Sequence, residues 1–144
     1  MTGLDDLVVV PQVGTTLPTL EIELTRTLIV ATAIASRDYQ DVHHDPALAL
    51  QRGSRDIFMN ILTSNALVER FVRRGLGGDV RIRRVKVRLG APNHPGDTMT
   101  ITGTVTAVDE GTVTVEVRGD NSLGTHVSGL VVVEPTRRDE GSAA

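Results

Sequence analysis

The spacing of apolar residues changes from a helical period to a period of two near residue 80, and this change constrains the fold most strongly. Between Ile57 and Arg73 apolar residues cover most sides of a helix, so other structure must surround it. Asp56 is the predicted cap, and Gly75 follows the predicted end. From Val80 onward, apolar and polar residues alternate as in antiparallel strands. The pattern predicts an α+β fold with a curved antiparallel sheet wrapped around a long central helix, because this arrangement buries both apolar surfaces.

Shorter elements are predicted before the central helix. Residues 20–24 alternate between apolar and charged side chains, which indicates a short strand with one buried face. Thr27 is the predicted N-cap of a helix over 28–36. Asp45, followed by proline, begins a second short helix that ends at Gly53.

Four successive strands are predicted after the central helix. In the first of them, Arg83-Arg84 interrupts the alternation, and a β-bulge there would keep the apolar residues on one face. The last strand alternates little, which predicts a central position in the sheet. The predicted strands cover residues 80–89, 99–107, 113–117 and 127–133, with turns at 109–111 and 119–124.

The length of 144 residues is close to that of one domain. We expect a single domain over residues 1–134, because no linker composition interrupts it. Residues 135–144 are polar or small and are predicted to form a flexible C-terminal tail, and the first ten to fifteen residues are expected to fray.

The composition excludes several classes of function. With 15 basic and 18 acidic residues the net charge is −3, and only three aromatic residues occur, so nucleic-acid binding is not expected. The absence of cysteine excludes disulfides, thiolate metal sites and cysteine nucleophiles. Neither a signal peptide nor an apolar run long enough to span a membrane is visible, which predicts a cytoplasmic protein.

Asp38 and His43 are the first candidates for chemistry. They are five positions apart in a polar segment between two predicted helices, and a carboxylate and an imidazole so placed can act on one water molecule. In the alternative interpretation, Asp38 caps a helix end or pairs with Arg37, and His43 is a solvated loop residue.

A metal site is not expected. His43, His44 and Asp45 are consecutive, and adjacent side chains usually diverge. His94 and His126 stand alone in the sequence, without the spaced second pair of ligands that a metal site normally needs.

The start of the central helix is a second candidate site. Amide groups from about Phe58 to Ile61 are predicted to lack partners within the helix and could stabilise a developing oxyanion. The N–H of Asn60 is the predicted donor. Ser54, Arg55 and the side chain of Asn60 are polar groups near this end that could contact a substrate or act as local caps.

Five arginines could bind the phosphates of a nucleotide-like group, although a solvated sheet edge explains them equally well. With a negative net charge they indicate a local patch that suits an anionic cofactor tail or an acidic partner. The residues are Arg52, Arg55, Arg83, Arg84 and Arg88.

Taken together, these motifs resemble the MaoC-like, (R)-specific enoyl-CoA hydratases. The resemblance rests on Asp38-x-x-x-x-His43, on the helix start near residues 57–63, and on Leu89-Gly-Ala-Pro92 followed by Pro95-Gly-Asp-Thr98, and it covers about residues 20–134. It implies a hot-dog fold, an acyl-CoA substrate and no separate cofactor. The sequence lacks the family's Asn-Pro before the histidine and has Met59-Asn60 where the family has His-Gly.

Residues 37–45 and 53–63 are similar to the small catalytic subunit of actinobacterial heteromeric hydratases of steroid side-chain degradation. This similarity implies a steroid enoyl-CoA as substrate and a MaoC-like partner subunit, in a heterodimer or a dimer of heterodimers. Asp38 and His43 would then be the catalytic pair.

Two other functions fit the same fold. An acyl-CoA thioesterase would need an acidic residue on the central helix, where the sequence offers only Glu69 and Asp56. A non-catalytic subunit could complete a partner's site, although the presence of Asp38 and His43 argues against this alternative.

Overall fold

The computed structural model describes residues 11–77 and 79–135. This part of the chain contains five β-strands, three α-helices and one 3₁₀ turn over Asp41–His43. The strands are β1 (Leu20–Glu23), β2 (Val80–Leu89), β3 (Thr98–Asp109), β4 (Thr112–Asn121) and β5 (Gly124–Pro135), and the helices are α1 (Arg26–Ala35), α2 (Pro46–Gln51) and α3 (Ile61–Leu76).

All five strands form one antiparallel sheet in the order β1-β3-β4-β5-β2. The predicted α+β class is therefore confirmed. The last strand lies inside the sheet, as its weak alternation predicted. The bulge in β2 is also confirmed, because its register against β5 shifts between Ile82 and Arg84.

The sheet packs its apolar face against α3, where Gly103 permits a close approach, and Gly129 permits a close approach of β5 to β2. Gly103 and Gly129 both pair with Val117 across the sheet. A Cβ atom at Gly103 would lie 2.6 Å from the Phe71 ring, and one at Gly129 would collide with the backbone of β2. Apolar side chains fill the space between the layers, among them Ile101, Val105, Val115, Val131, Val68 and Val72.

The helix caps differ in part from the predicted ones. α1 begins earlier than expected, because Thr25 rather than Thr27 is the N-cap, and the Thr25 hydroxyl accepts from the Leu28 N–H at 3.0 Å. Asp45 caps α2 as predicted, accepting from the N–H groups of Ala47 and Leu48.

The predicted start of the central helix is wrong. Asn60 caps α3 in place of Asp56, and residues 57–59 are not helical. Their backbone groups bond to the 3₁₀ turn on one side and to the loop before β3 on the other. These bonds give backbone N–H and carbonyl groups of residues 57–59 the partners that a helix would otherwise provide. The helix also runs beyond the predicted end, to Leu76, with Gly77 in the left-handed conformation (φ 75°) after it.

Three further expectations need correction. The turn predicted over 119–124 is tighter, because Asn121 pairs with Gly124 and only two residues connect β4 to β5. The fraying expected up to residue 15 is wrong for residues 11–15, since Gly14 donates to the Val105 carbonyl and Thr16 bridges Thr104. The tail predicted from residue 135 begins later, because Pro135 is the last residue of β5 and pairs with Val80. Residues 1–10 and 136–144 lie outside the described part, so the rest of the flexible tail and the domain limits stay predictions. Among the described residues, no helix combines the length and apolar content needed to cross a bilayer.

Candidate active site

Asp38 is positioned by the way α1 ends. The N–H of Arg37 donates to the Ile34 carbonyl and that of Asp38 to the Ala33 carbonyl, the two bonds of a Schellman motif. Arg37 has φ 57°, a left-handed conformation usually reserved for glycine at this position. This sharp turn places Asp38 directly beside the helix end.

His43 is held by the backbone of the extended segment 57–59. Its Nδ1 atom lies 2.7 Å from the Phe58 carbonyl oxygen, and its ring meets the Phe58 ring edge-on at 5.0 Å. A carbonyl can only accept, so Nδ1 bears a proton. In the neutral ring, Nε2 is then the unprotonated nitrogen, free to accept a proton.

The extended segment is fixed on both sides. Towards the 3₁₀ turn, the Phe58 N–H donates to the Val42 carbonyl at 3.1 Å. Towards the loop before β3, the Met59 N–H donates to the Asn93 carbonyl at 3.0 Å, and Nδ1 of the buried His94 donates to the Ile57 carbonyl at 2.9 Å. The carbonyl that orients His43 therefore belongs to a clamped backbone.

The structure brings the two predicted residues together. Nε2 of His43 lies 3.4 Å from Oδ2 of Asp38. The Asp38 side chain is 23% exposed and that of His43 is 10% exposed, so the pair is sheltered but open to a small molecule. The carboxylate faces the nitrogen that can take up a proton, and it can stabilise the cation that results.

The side chain of Asn60 is the helix cap that the sequence analysis gave as one possibility, and it also contacts Asp38, which the sequence did not predict. Its Oδ1 accepts from the Thr63 N–H and hydroxyl, which leaves Nδ2 to donate to Asp38 Oδ2 at 3.2 Å and to Ser36 Oγ at 2.9 Å. One residue thus caps α3 and orients the carboxylate. Asparagine is a favoured N-cap, and this preference was the available sequence signal.

Fewer helix-start amides are free than expected. The N–H groups of Phe58 and Met59 already donate to carbonyls, which removes them as oxyanion donors. Within the described residues, the N–H groups of Asn60 and Ile61 have no acceptor. The Asn60 backbone has φ −80°, a conformation that needs no glycine.

Ser54 and Arg55 form no hydrogen bond or ion pair with Asp38 or His43 within the described part of the chain. The Ser54 hydroxyl donates to the Asp56 carbonyl at 2.6 Å. Arg55 is exposed and close enough to Asp97 to help lower the pKa of that carboxyl, after the larger effect of the Ser122 hydroxyl.

The acidic residue nearest the helix start is already engaged. Both carboxyl oxygens of Asp56 lie 3.0 Å from guanidinium nitrogens of Arg26, and these hydrogen bonds lower the pKa of Asp56. Glu69 lies in the middle of α3. Neither carboxylate is therefore free at the helix start, where a thioesterase would use it.

The predicted arginine patch is partly neutralised. Arg52 forms an ion pair with Asp41 and lowers the pKa of that carboxyl, and Arg83 pairs with Glu134. Phosphate binding by these arginines stays a prediction.

His44 and His126 form no bond with the Asp38–His43 pair among the described residues. His44 lies 3.2 Å from the Tyr39 carbonyl. The buried His126 donates from Nδ1 to the Ala91 carbonyl and accepts at Nε2 from the Ser64 hydroxyl, each at 2.7 Å. Burial lowers the pKa of His126. Within residues 11–77 and 79–135, no three acidic or imidazole groups converge as metal ligands.

Two depressions of different character lie near the pair. A polar one of about 660 Å³ is lined by Asp38 itself with Arg37, Tyr39 and Arg52. An apolar groove of about 340 Å³ lies between α1 and α3 and includes Ser36 and Thr63. Asp38 therefore stands between a polar surface and an apolar one.

The MaoC-like domain model matches residues 9–127. A Mycobacterium tuberculosis protein named 3-oxo-4,17-pregnadiene-20-carboxyl-CoA hydratase beta subunit is 48% identical over 127 residues, which cover 88% of this chain and 97% of that protein.

Solved structures agree with this result. The ChsH1-ChsH2 complex from M. tuberculosis contains a chain with 46% identity and a TM-score of 0.84, covering 87% of this chain and 98% of that one. The (R)-hydratase from A. caviae, at 23% identity, has a TM-score of 0.79 over 87% of this chain and 97% of its own, and so shares the hot-dog fold.

This chain belongs to the MaoC-like family and has the hot-dog fold. It is an enzyme of the hydratase class.

Proposed function

We propose that this chain is the catalytic subunit of a heteromeric hydratase that adds water to a steroid trans-2-enoyl-CoA and forms a 3-hydroxyacyl-CoA. The observation that supports this most strongly is the Asp38–His43 pair, in which the nitrogen able to accept a proton faces the carboxylate. Such a pair can bind and activate one water molecule.

In the proposed reaction, Asp38 and His43 hold the water, and Nε2 of His43 takes one of its protons. The oxygen forms a bond to the β-carbon while the electrons of the double bond move toward the thioester carbonyl. His43 then returns a proton to the α-carbon. Water is added without net oxidation or reduction, so the reaction requires no redox cofactor.

The developing charge on the thioester oxygen needs donors. The proposed donor is the Asn60 N–H, with the neighbouring Ile61 N–H, which also has no acceptor among the described residues. Asn60 is 2% exposed, so the proposal requires the thioester to approach a largely buried residue. Loss of one such donor typically lowers kcat by about 10²–10³.

The substrate and partner proposals are supported by the relatives. The M. tuberculosis relative is named for a steroid carboxyl-CoA, and the matching solved chain belongs to a complex. We infer a steroid side-chain thioester and a MaoC-like partner subunit, in a heterodimer or a dimer of heterodimers. Substrate contacts by Ser54 and Arg55 and a cytoplasmic location stay predictions.

The test is hydration of a steroid enoyl-CoA by the chain purified with its partner subunit. Asp38→Asn and His43→Ala should each lower kcat at least about 100-fold, as expected for loss of a general acid–base group. His44→Ala is the matched control, because this exposed imidazole is adjacent in sequence but bonds only to the Tyr39 carbonyl.

Turnover within a few-fold of wild type in both variants would contradict the assignment. If the partner's own Asp and His then proved essential, this chain would be the non-catalytic subunit. Release of CoA thiol from a saturated acyl-CoA, without hydration, would instead identify a thioesterase.

A further inference from the structure

We propose that the apolar groove between α1 and α3 binds the ring system of the thioester, with a ring ketone directed to Arg70. This inference rests on the proposed function and adds a substrate orientation to it. The groove has a volume of about 340 Å³ and opens on the surface beside the Asp38–His43 pair.

One end of the groove adjoins the reacting groups. Ser36 and Thr63 line this end, and both bond to the Asn60 side chain, Ser36 through Oγ at 2.9 Å and Thr63 through its hydroxyl at 2.5 Å. The same Asn60 amide donates to Asp38. A ligand leaving Asp38 along α3 therefore enters the groove directly.

The walls suit a rigid hydrocarbon. Ala35 of α1 and Ala66 of α3 line the groove with small side chains, while Leu62 and Leu67 add larger apolar surface. Leu62 is 50% exposed. Covering these side chains with a ring system would remove apolar surface from water on both molecules, which favours binding.

The far end offers a hydrogen-bond donor at a suitable distance. Arg70 lines the groove seven residues after Thr63, a rise of about 10 Å along the helix, comparable with the length of four fused rings. Arg70 is exposed and forms no ion pair with any described residue. Its guanidinium can donate to a ketone oxygen.

The polar depression supports the same orientation. A CoA thioester is polar and phosphate-bearing on one side of its reacting carbons and apolar on the other. Asp38 lines the depression together with Arg37 and with Arg52, which is paired with Asp41, and it adjoins the apolar groove through Asn60. The apolar body therefore fits the groove, and the CoA moiety fits the depression.

Two substitutions test the groove in the chain purified with its partner. Ala66→Phe should lower kcat/KM for a 3-oxo steroid enoyl-CoA about tenfold or more, yet change crotonyl-CoA hydration less than about threefold, since only the bulky body needs the space. Arg70→Met should lower kcat/KM about tenfold for the 3-oxo substrate but not for an analogue without the ketone. Arg74→Met, one turn further along α3 and outside the groove, is the matched control.

A binding measurement separates this inference from the proposed function. The probe is 3-oxo-4-pregnene-20-carboxylic acid, a free acid that carries no CoA thioester and therefore cannot react as a substrate. Its binding is measured by equilibrium dialysis. Wild-type binding that Ala66→Phe weakens supports the groove, even if no enoyl-CoA is hydrated. Unchanged steroid binding and turnover in both variants would overturn it. A second result would also overturn the inference: the wild type does not bind the steroid, and Ala66→Phe no longer assembles with the partner subunit. The groove would then be a partner contact.

Discussion

Asn60 has two roles that make opposite demands on a substitution. Its Oδ1 caps α3, and its Nδ2 donates to the Asp38 carboxylate. Aspartate would preserve the cap, but it would replace the donor with a second carboxylate. Glycine, the family's residue in this place, would remove both side-chain interactions and leave the backbone N–H.

We predict that Asn60→Asp lowers the free energy of unfolding and lowers kcat/KM at least about tenfold, because two carboxylates would meet near 3.2 Å at a buried position. Asn60→Gly should reduce stability less than Asn60→Asp, because glycine is tolerated as an N-cap and brings no second carboxylate, and it should retain more activity. Chemical denaturation and hydration kinetics measure the two effects. Wild-type activity in both variants would show that the bond to Asp38 has no role, because both of them lack it.

At this scale the sequence predicted the identity of Asp38 and His43 but not their surroundings. Residue type and spacing indicate that a carboxylate and an imidazole can act together. The left-handed Arg37 and the bond from His43 to the Phe58 carbonyl depend on backbone geometry. Arginine has no intrinsic preference for that conformation, so no local signal predicts it.

The elements differ from their predicted limits at the helix starts. Threonine at position 25 or at position 27 could cap α1 by residue type alone. The structure selects Thr25, whose hydroxyl accepts from Leu28, because β1 has ended at Glu23 and the chain turns there.

This choice can be tested with a matched pair. Thr25→Ala should lower the free energy of unfolding by about 1 kcal/mol, since an N–H of the first turn would lose its acceptor. Thr27 is exposed and lies inside the helix, so Thr27→Ala should change the free energy of unfolding by less than about 0.5 kcal/mol. Denaturant titration of both variants decides the matter, and a larger effect at position 27 would contradict the observed cap.

The extended segment before α3 is a second element that can be tested. His94 donates to the Ile57 carbonyl, so we predict that His94→Leu loosens the segment and disturbs the Nδ1–H tautomer of His43. His94→Asn can keep a donor near the carbonyl and should preserve the tautomer. The ¹⁵N chemical shifts of the His43 ring report the tautomer independently of activity.

His126→Leu is the control for this experiment, because it also removes a buried imidazole. The His126 ring bonds to Ala91 and Ser64 and forms no hydrogen bond with the 57–59 segment. A change of the His43 tautomer in the control as well would mean that general loosening, and not the bond from His94, is responsible.

At the scale of the whole molecule, the buried side chain of His126 connects the sheet to the helical layer. His126 on β5 connects α3, through Ser64, to the loop after β2, through Ala91. Its pKa is lowered because burial disfavours the cation. In the unfolded chain the same imidazole titrates near 6.5.

Stability should therefore fall in mild acid. Between the lowered folded pKa and about 6.5, the unfolded state binds more protons than the folded one, so the free energy of unfolding decreases as the pH falls below 6.5, by at most about 1.4 kcal/mol per pH unit. Denaturation at pH 5 to 8 measures this slope. His126→Gln should reduce it, and an unchanged slope would exclude His126 as its source.

By itself, the sequence determined the two layers, the bulge in β2 and the position of β5 inside the sheet. Each follows from the period of apolar residues, which the local chain geometry converts into a buried face. Only the tertiary structure decided where α3 begins, which amides stay free and how Asn60 joins Asp38 to the helix. These features depend on hydrogen bonds between segments far apart in the chain, such as Met59 to Asn93 and His43 to Phe58. No local pattern of residues records which distant carbonyl a donor will meet.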